Sequence, residues 1–372
     1  MMANIEQREA SHHEPFLRIV KRNSLHWWQN LLIRLAAVIL AMAVCALVIY
    51  GIVHLNPLLV YGSIWNGAFG TVNRTWITIK ETAFLLCIAV GLAPAFKMRF
   101  WNIGAEGQIL MGGVATAACM IYLSRMPSLL LLLVMLIASI LAGLIWGLIP
   151  AFFKARYNTN ETLFTLMMNY VAIQITSFCV AKWEHPAGSN SVGIINSGTK
   201  AGWFPELFGQ KYMLNVILVM LLVIGIYLYM HRAKHGYELS VVGESENTAR
   251  YAGINVQKVI LRTMCLSGAI CGISGFIAVA GSGHTISVTT GGGRGFTAII
   301  VAWLAKFNTF VMILIALLLV FLERGASQIA SQYNLNEYAS KILTGIILFF
   351  ILGSEFFIQY RLVFKVRKGG KA

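Results

Sequence analysis

Four polar clusters interrupt an otherwise apolar chain, and any chemistry has to be sought there. The first is Asn102-Ile103-Gly104-Ala105-Glu106-Gly107-Gln108, where a carboxyl and two amides open an apolar run. An ionisable group in that position is a candidate for a solute pathway or its gate; the competing reading is a structural pairing of Glu106 with Arg99 or Lys97. On a regular helix Asn102 and Glu106 share a face, whereas Gln108 points about 120° away from Asn102. All three can act together only if the backbone is irregular, which Gly104 and Gly107 permit. The second cluster runs from Asn160-Glu161, a helix N-cap pair, to Asn169 two turns deeper. A buried amide there must find a partner, and a helix–helix hydrogen bond is favoured over solute contact.

The third cluster is Gly243-Glu244-Ser245-Glu246-Asn247-Thr248-Ala249-Arg250-Tyr251-Ala252-Gly253. Ser245 is suited to cap a helix, Glu246 to sit at its positive end, and Gly253 to close it in a left-handed conformation. A helix this short is not stable alone. Its tidy caps, including the flanking Glu244, Arg250 and Tyr251, point to a contact for a partner. The fourth cluster is glycine-rich, Gly281 to Gly295, and includes Gly291-Gly292-Gly293. It lacks the lysine of a phosphate loop and reads as irregular backbone before a short span, of the kind that interrupts transporter helices.

No catalytic constellation is present. All 14 acids are glutamates, which excludes an aspartyl-phosphate pump, an EF-hand loop and an aspartate proton carrier. There is no G-x-x-x-x-G-K-[ST], so any energy for work comes from elsewhere. A Ser/His pair, H-E-x-x-H or paired acids for an intramembrane enzyme are also missing. The histidines are scattered, the six cysteines lie in apolar runs as packing residues, and neither a metal site nor a cofactor is expected.

The elements that must position these clusters are membrane spans. Hydrophobic residues make up 58% of the 372, charged residues 12%, and the mean hydropathy is +0.72. These values describe an all-α, polytopic helical bundle. Apolar runs predict about ten spans, near 32–53, 78–96, 104–123, 128–151, 162–181, 213–231, 259–280, 297–306, 309–323 and 339–360. The eighth is short and could form one re-entrant element with the ninth. Residues 1–31 and 361–372 read as polar tails around a membrane domain of 32–360, and the first span reads as an anchor rather than a cleaved signal. Segment 55–76 reads as an interfacial helix, and loop 182–212 as a cap on the outer mouth. Gly143-x-x-x-Gly147 and Gly268-x-x-x-Gly272 predict close helix packing. The net charge of +15 flanks the spans instead of forming a nucleic-acid stripe, and its distribution favours both termini in the cytoplasm.

With these residues in view, the chain resembles the permease subunits of ABC importers of the branched-chain amino acid, ribose and simple-sugar class. It is most similar to the nucleoside branch. The resemblance is carried by Phe100 with Asn102 to Gln108, Asn160-Glu161 with Leu166 to Tyr170, Ala249 to Asn255, and Gly295-Phe296 with Ala302. It departs from the pattern at Thr297, Lys306 and Asn308-Thr309. The resemblance implies a type II importer-like permease in a bacterial plasma membrane. It also implies a second permease subunit, a cytoplasmic ATPase that uses the ATP, and an extracytoplasmic substrate-binding lipoprotein. The coupling helix of such permeases maps onto Glu244 to Gly253, within the inside loop 232–258. The alternative is a secondary transporter driven by an ion gradient through Glu81 or Glu106; the expected span limits place both near span ends, which weakens it.

Overall fold

The computed structural model describes residues 17–22, 26–53, 57–333 and 337–364. In chain order these form β1 (Leu17–Lys21), α1 (Trp27–Val53), α2 (Pro57–Phe69), α3 (Val72–Lys97), α4 (Ala105–Tyr122), α5 (Ser128–Tyr157), α6 (Glu161–Trp183), α7 (Met213–His231), α8 (Lys234–Glu244), α9 (Glu246–Tyr251), α10 (Val256–Ala278), α11 (Arg294–Leu304), α12 (Thr309–Gln332), α13 (Glu337–Gln359) and β2 (Tyr360–Phe364). Each expected apolar run falls on a helix, but fewer than ten of these helices have the length and hydropathy of a span. Among the described residues seven helices are long and apolar enough to cross a membrane; α1 contributes a shorter apolar stretch, Leu32–Val48, and α11 is short throughout. The eighth and ninth runs are separate helices, α11 and α12, joined by a turn. Loop 232–258 holds two helices where one was expected.

The chain divides into two compact units, residues 1–64 with 325–372 and residues 65–324. In the first, α1 lies along α13. Arg34 pairs with Glu355 and the Cys45 thiol donates to the Leu343 carbonyl at 3.8 Å. The two tails are not free: β1 and β2 pair antiparallel, Leu17 opposite Phe364 and Lys21 opposite Tyr360.

In the second unit α10 is the central helix, against α5, α4 and α3. The apolar stretches of α3 and α10 are 78% buried, whereas that of α5 is 22% buried, so α5 turns most of its apolar surface outward. Glycine makes the centre possible. A Cβ on Gly143 would stand 2.7 Å from the Gly272 Cα, and one on Gly268 would stand 3.3 Å from the Gly147 Cα. The two small-residue patterns thus meet each other backbone to backbone. On the other flank a Cβ on Gly112 would stand 2.6 Å from the Gly272 Cα, and one on Gly275 2.5 Å from the Gly113 nitrogen. Van der Waals contact at such range is the main attraction between helices in lipid.

Candidate functional site

The first and fourth polar clusters meet where α10 breaks off. Its last turn widens to a π turn over Val279–Gly283, and the chain then runs without a helix to Arg294. Ser287 and Thr290 close a turn there, with the Ser287 N–H donating to Thr290 Oγ1 at 2.9 Å. Gly292 and Gly293 follow with φ of 61° and 74°, a left-handed pair that side chains resist. Gly293 is the N-cap of α11 and offers no side chain to its first amides. Glu106 supplies the missing acceptor: Oε1 accepts from the Gly293 N–H at 3.0 Å and Oε2 from the Gly295 N–H at 2.9 Å. The carboxylate is buried, and its charge faces the positive end of α11. Gly291 and Gly295 are small because a Cβ at either would run into this carboxylate. Glu106 therefore pairs with backbone amides, neither with Arg99 nor with Lys97. Lys97 ends α3, and Arg99 stands in a turn with φ 61°.

Asn102 and Gln108 meet because the chain between α3 and α4 is irregular. The Asn102 amide donates to Gln108 Oε1 at 3.3 Å and to Ser267 Oγ at 3.1 Å. Its oxygen accepts from Gln108 Nε2 at 3.2 Å and from the Gly104 N–H at 3.1 Å. Asn169 accepts from the Gly107 N–H at 2.8 Å and donates to the Ile103 carbonyl at 2.9 Å, so α6 holds the entry to α4. All three amides are buried and hydrogen-bonded, Asn102 and Gln108 to each other and Asn169 to the backbone of α4 and its approach. The same segment is clamped from the other side, where Trp101 stacks on Trp303 of α11 at 5.3 Å and Phe96 meets Trp101 edge-on at 5.7 Å.

An ion cluster that the sequence reading passed over stands beside the break. Glu81 pairs with Lys80 at 3.0 Å, Arg294 at 2.8 Å and Arg324 at 3.1 Å, and Arg294 also reaches Glu323 at 3.3 Å. Because α3 starts at Val72, Glu81 lies about 14 Å into the helix. The adjacent pairs Lys80-Glu81 and Glu323-Arg324, each inside an apolar run, were the available signal.

At the end of the bundle that carries α8 and α9, Ser245 caps α9 by accepting from the Thr248 N–H at 3.3 Å, and Gly253 closes it with φ 76°. Ala249 is buried, whereas Tyr251 is almost wholly exposed. Arg250 and Glu246 pair at 3.6 Å on the surface. Gly243 lies against the Lys97 carbonyl, which ties α8 to the end of α3. A groove of about 320 Å³ runs beside α9, lined by Arg99, Lys154, Glu161, Glu244, Ser245 and Glu246 among others. Glu238 of α8 bonds Arg262 at 3.0 Å, and that bond holds its carboxyl below the usual glutamate range.

The opposite end is closed by the segment between α6 and α7. Trp203 stacks on His284 at 3.8 Å and 5°, and its indole N–H donates to the Ile195 carbonyl at 2.9 Å. The Ile195 N–H in turn donates to the His284 carbonyl at 2.8 Å. Burial, with Lys211 and Lys80 nearby, lowers the His284 pKa, so the ring is held neutral.

Residues 77–352 match the sequence model of a family described as branched-chain amino acid transport system, permease component. The chain is similar to the guanosine ABC transporter permease protein of Bacillus subtilis, at 29% identity over 87% of this chain and 94% of that one. It is also similar to the glucose ABC transporter permease protein of Haloferax volcanii, at 27% over 74% and 75% of the two chains. The nucleoside ABC transporter permease protein of Lactococcus lactis is 23% identical over 87% and 91%. No solved structure matches.

Proposed function

The chain belongs to the family of branched-chain amino acid transport system permeases, and from that premise we propose that it carries a nucleoside or simple sugar through the membrane for an ATP-driven importer. The substrate class rests on relatives that handle guanosine, glucose and nucleosides. A cytoplasmic ATPase, a second permease subunit and a substrate-binding lipoprotein complete the machine, and both tails lie in the cytoplasm. The observation that carries the coupling is α9: a capped six-residue helix on the surface, with Tyr251 exposed and a groove beside it lined by Glu244, Ser245 and Glu246. The ATPase docks there, and Arg250 and Gly253 belong to the same surface. Movement of α9 is passed on through Gly243 to the end of α3.

Asn102, Glu106, Gln108 and Asn169 act in gating by fixing the entry of α4 against α6, α10 and α11. A proton-driven mechanism through Glu81 is disfavoured because three cations, Lys80, Arg294 and Arg324, already pair with that carboxylate. The test is uptake of guanosine and glucose into proteoliposomes containing the permease, with and without the ATPase subunits. ATP-dependent uptake that vanishes without them is expected. Uptake that persists on a proton or sodium gradient alone overturns the reading.

A further inference from the structure

The break between α10 and α11 borders a cavity of about 320 Å³ that none of Asn102, Glu106, Gln108 and Asn169 lines. Its wall includes Lys80, Glu81 and Phe84 from α3, Thr285 and Thr290 from the loop, and Arg294 at the start of α11. Each charge on this wall has an ion-pair partner, Glu81 with Lys80, Arg294 and Arg324, and Arg294 also with Glu323, and the cluster has one cation more than it has carboxylates. An added cation would meet no unpaired carboxylate. What is left open is hydrogen-bonding capacity. Arg294 Nη1 is buried with no hydrogen-bond partner among the described residues, an unfavourable arrangement unless a ligand or water supplies an acceptor. Thr285 adds a hydroxyl to the wall and Phe84 an aromatic surface.

The volume is at the small end of ligand sites, which begin at about 300 Å³. Interrupted helices are where transporters place their solutes, because backbone freed from a helix can line a polar space. We propose that this cavity holds the transported solute. The occupant is a neutral, hydroxyl-bearing ring, with an oxygen or ring-nitrogen acceptor on Arg294 Nη1 and a hydroxyl on Thr285. The nucleoside and the monosaccharide share that chemistry. Glu106 lies against Gly291 of the cavity wall and holds the amides of Gly293 and Gly295 beside it. The proposal deepens the importer reading by giving its substrate a place.

The experiment uses the assembled transporter in proteoliposomes. Thr285→Cys is labelled with a charged methanethiosulfonate, with wild type as the control for the native cysteines, in the presence and absence of guanosine or glucose. At ten times Kd the solute should slow labelling roughly tenfold; protection by guanosine only, or by glucose only, tells which ring fits. Arg294→Lys keeps the charge facing Glu81 and Glu323 but loses the planar fork. It should raise the KM for uptake about tenfold, equivalent to about 1.4 kcal/mol, at unchanged amounts of assembled complex. If Thr285→Cys does not assemble, Ser287→Cys takes its place, since Ser287 also lines the cavity. Labelling that neither solute slows, together with a wild-type KM in Arg294→Lys, overturns the proposal. Protection is read without ATP, so a transporter that proves not to be ATP-driven would sink the importer reading while leaving the cavity still decided by labelling.

Discussion

Glu106 and Gly295 are joined by a hydrogen bond of 2.9 Å from the Gly295 N–H to Oε2, so the first turn of α4 caps the first turn of α11. The two residues are 189 positions apart in the chain. A carboxylate with both oxygens on helix-end amides is a strong acceptor, and it takes the place of a side chain that Gly293 cannot offer.

Glu106→Gln keeps the shape, removes the charge and turns one acceptor into a donor facing an N–H. Bonds to charged groups contribute about 1.5–3 kcal/mol. Uptake per assembled complex should fall, and the thermal midpoint of the purified complex should fall with it. Normal values of both would show that the cap contributes nothing to transport.

Gly272→Ala places a methyl group against the Ser139 carbonyl, and backbone cannot rotate away as a side chain can. Overpacking of this kind costs about 1–3 kcal/mol or more. The expected outcome is a large loss of assembled protein in the membrane. Gly345→Ala is the comparison, since nothing lies within 4 Å of its added carbon. Equal yields from the two variants would contradict the close crossing of α5 and α10.

Ser245→Ala removes the cap of α9, worth about 0.5–2 kcal/mol. Gly253→Val meets no neighbour within 4 Å, so its effect is backbone strain at φ 76° alone, about 1–2 kcal/mol. Both should weaken stimulation of the ATPase by the permease while membrane insertion stays normal. Full stimulation in both would remove α9 from the coupling route.

The clamp of Trp203 on His284 should depend on pH. Burial, followed by Lys211 and Lys80, lowers the pKa of His284 in the folded protein. Its contribution to stability is therefore complete above the unfolded value of about 6.5 and is lost as pH falls below that value. Hydrogen exchange in residues 184–212 should accelerate between neutral and acidic pH, and His284→Phe should flatten the profile. An unchanged profile in the variant would assign the pH effect elsewhere.

The spans were legible because apolar length is decided locally, and the observed helices follow the runs even where a proline, Pro94 or Pro150, lies inside. The caps at Asn160, Ser245 and Gly253 were legible for the same reason: the signal and its effect lie within a few residues. Glu106 was found as a candidate, but its partner was not. Backbone amides have no letter in the sequence, and the nearest cations, Lys97 and Arg99, were the natural guess. Glu81 was also named as a candidate, while its cation partners Arg294 and Arg324 lie far away in the chain. Thr75, Lys80 and their neighbours lower hydropathy at the start of α3, so the apolar run begins after the helix does. The pairing of Asn102 with Gln108 depends on a chain path between α3 and α4 that no periodicity reports.

The ribbon of β1 and β2 sets an order of events during synthesis. Leu17–Lys21 leaves the ribosome before any helix, while its partner Tyr360–Phe364 follows all of them. The edge of β1 must wait, unpaired, until α13 has been inserted. The Arg22 N–H then reaches the Gln359 carbonyl at 2.9 Å, and the seam is closed. Formation of this seam reports that the last helix has arrived, and a cysteine pair across Ile19 and Leu362 would time that arrival in a translating membrane.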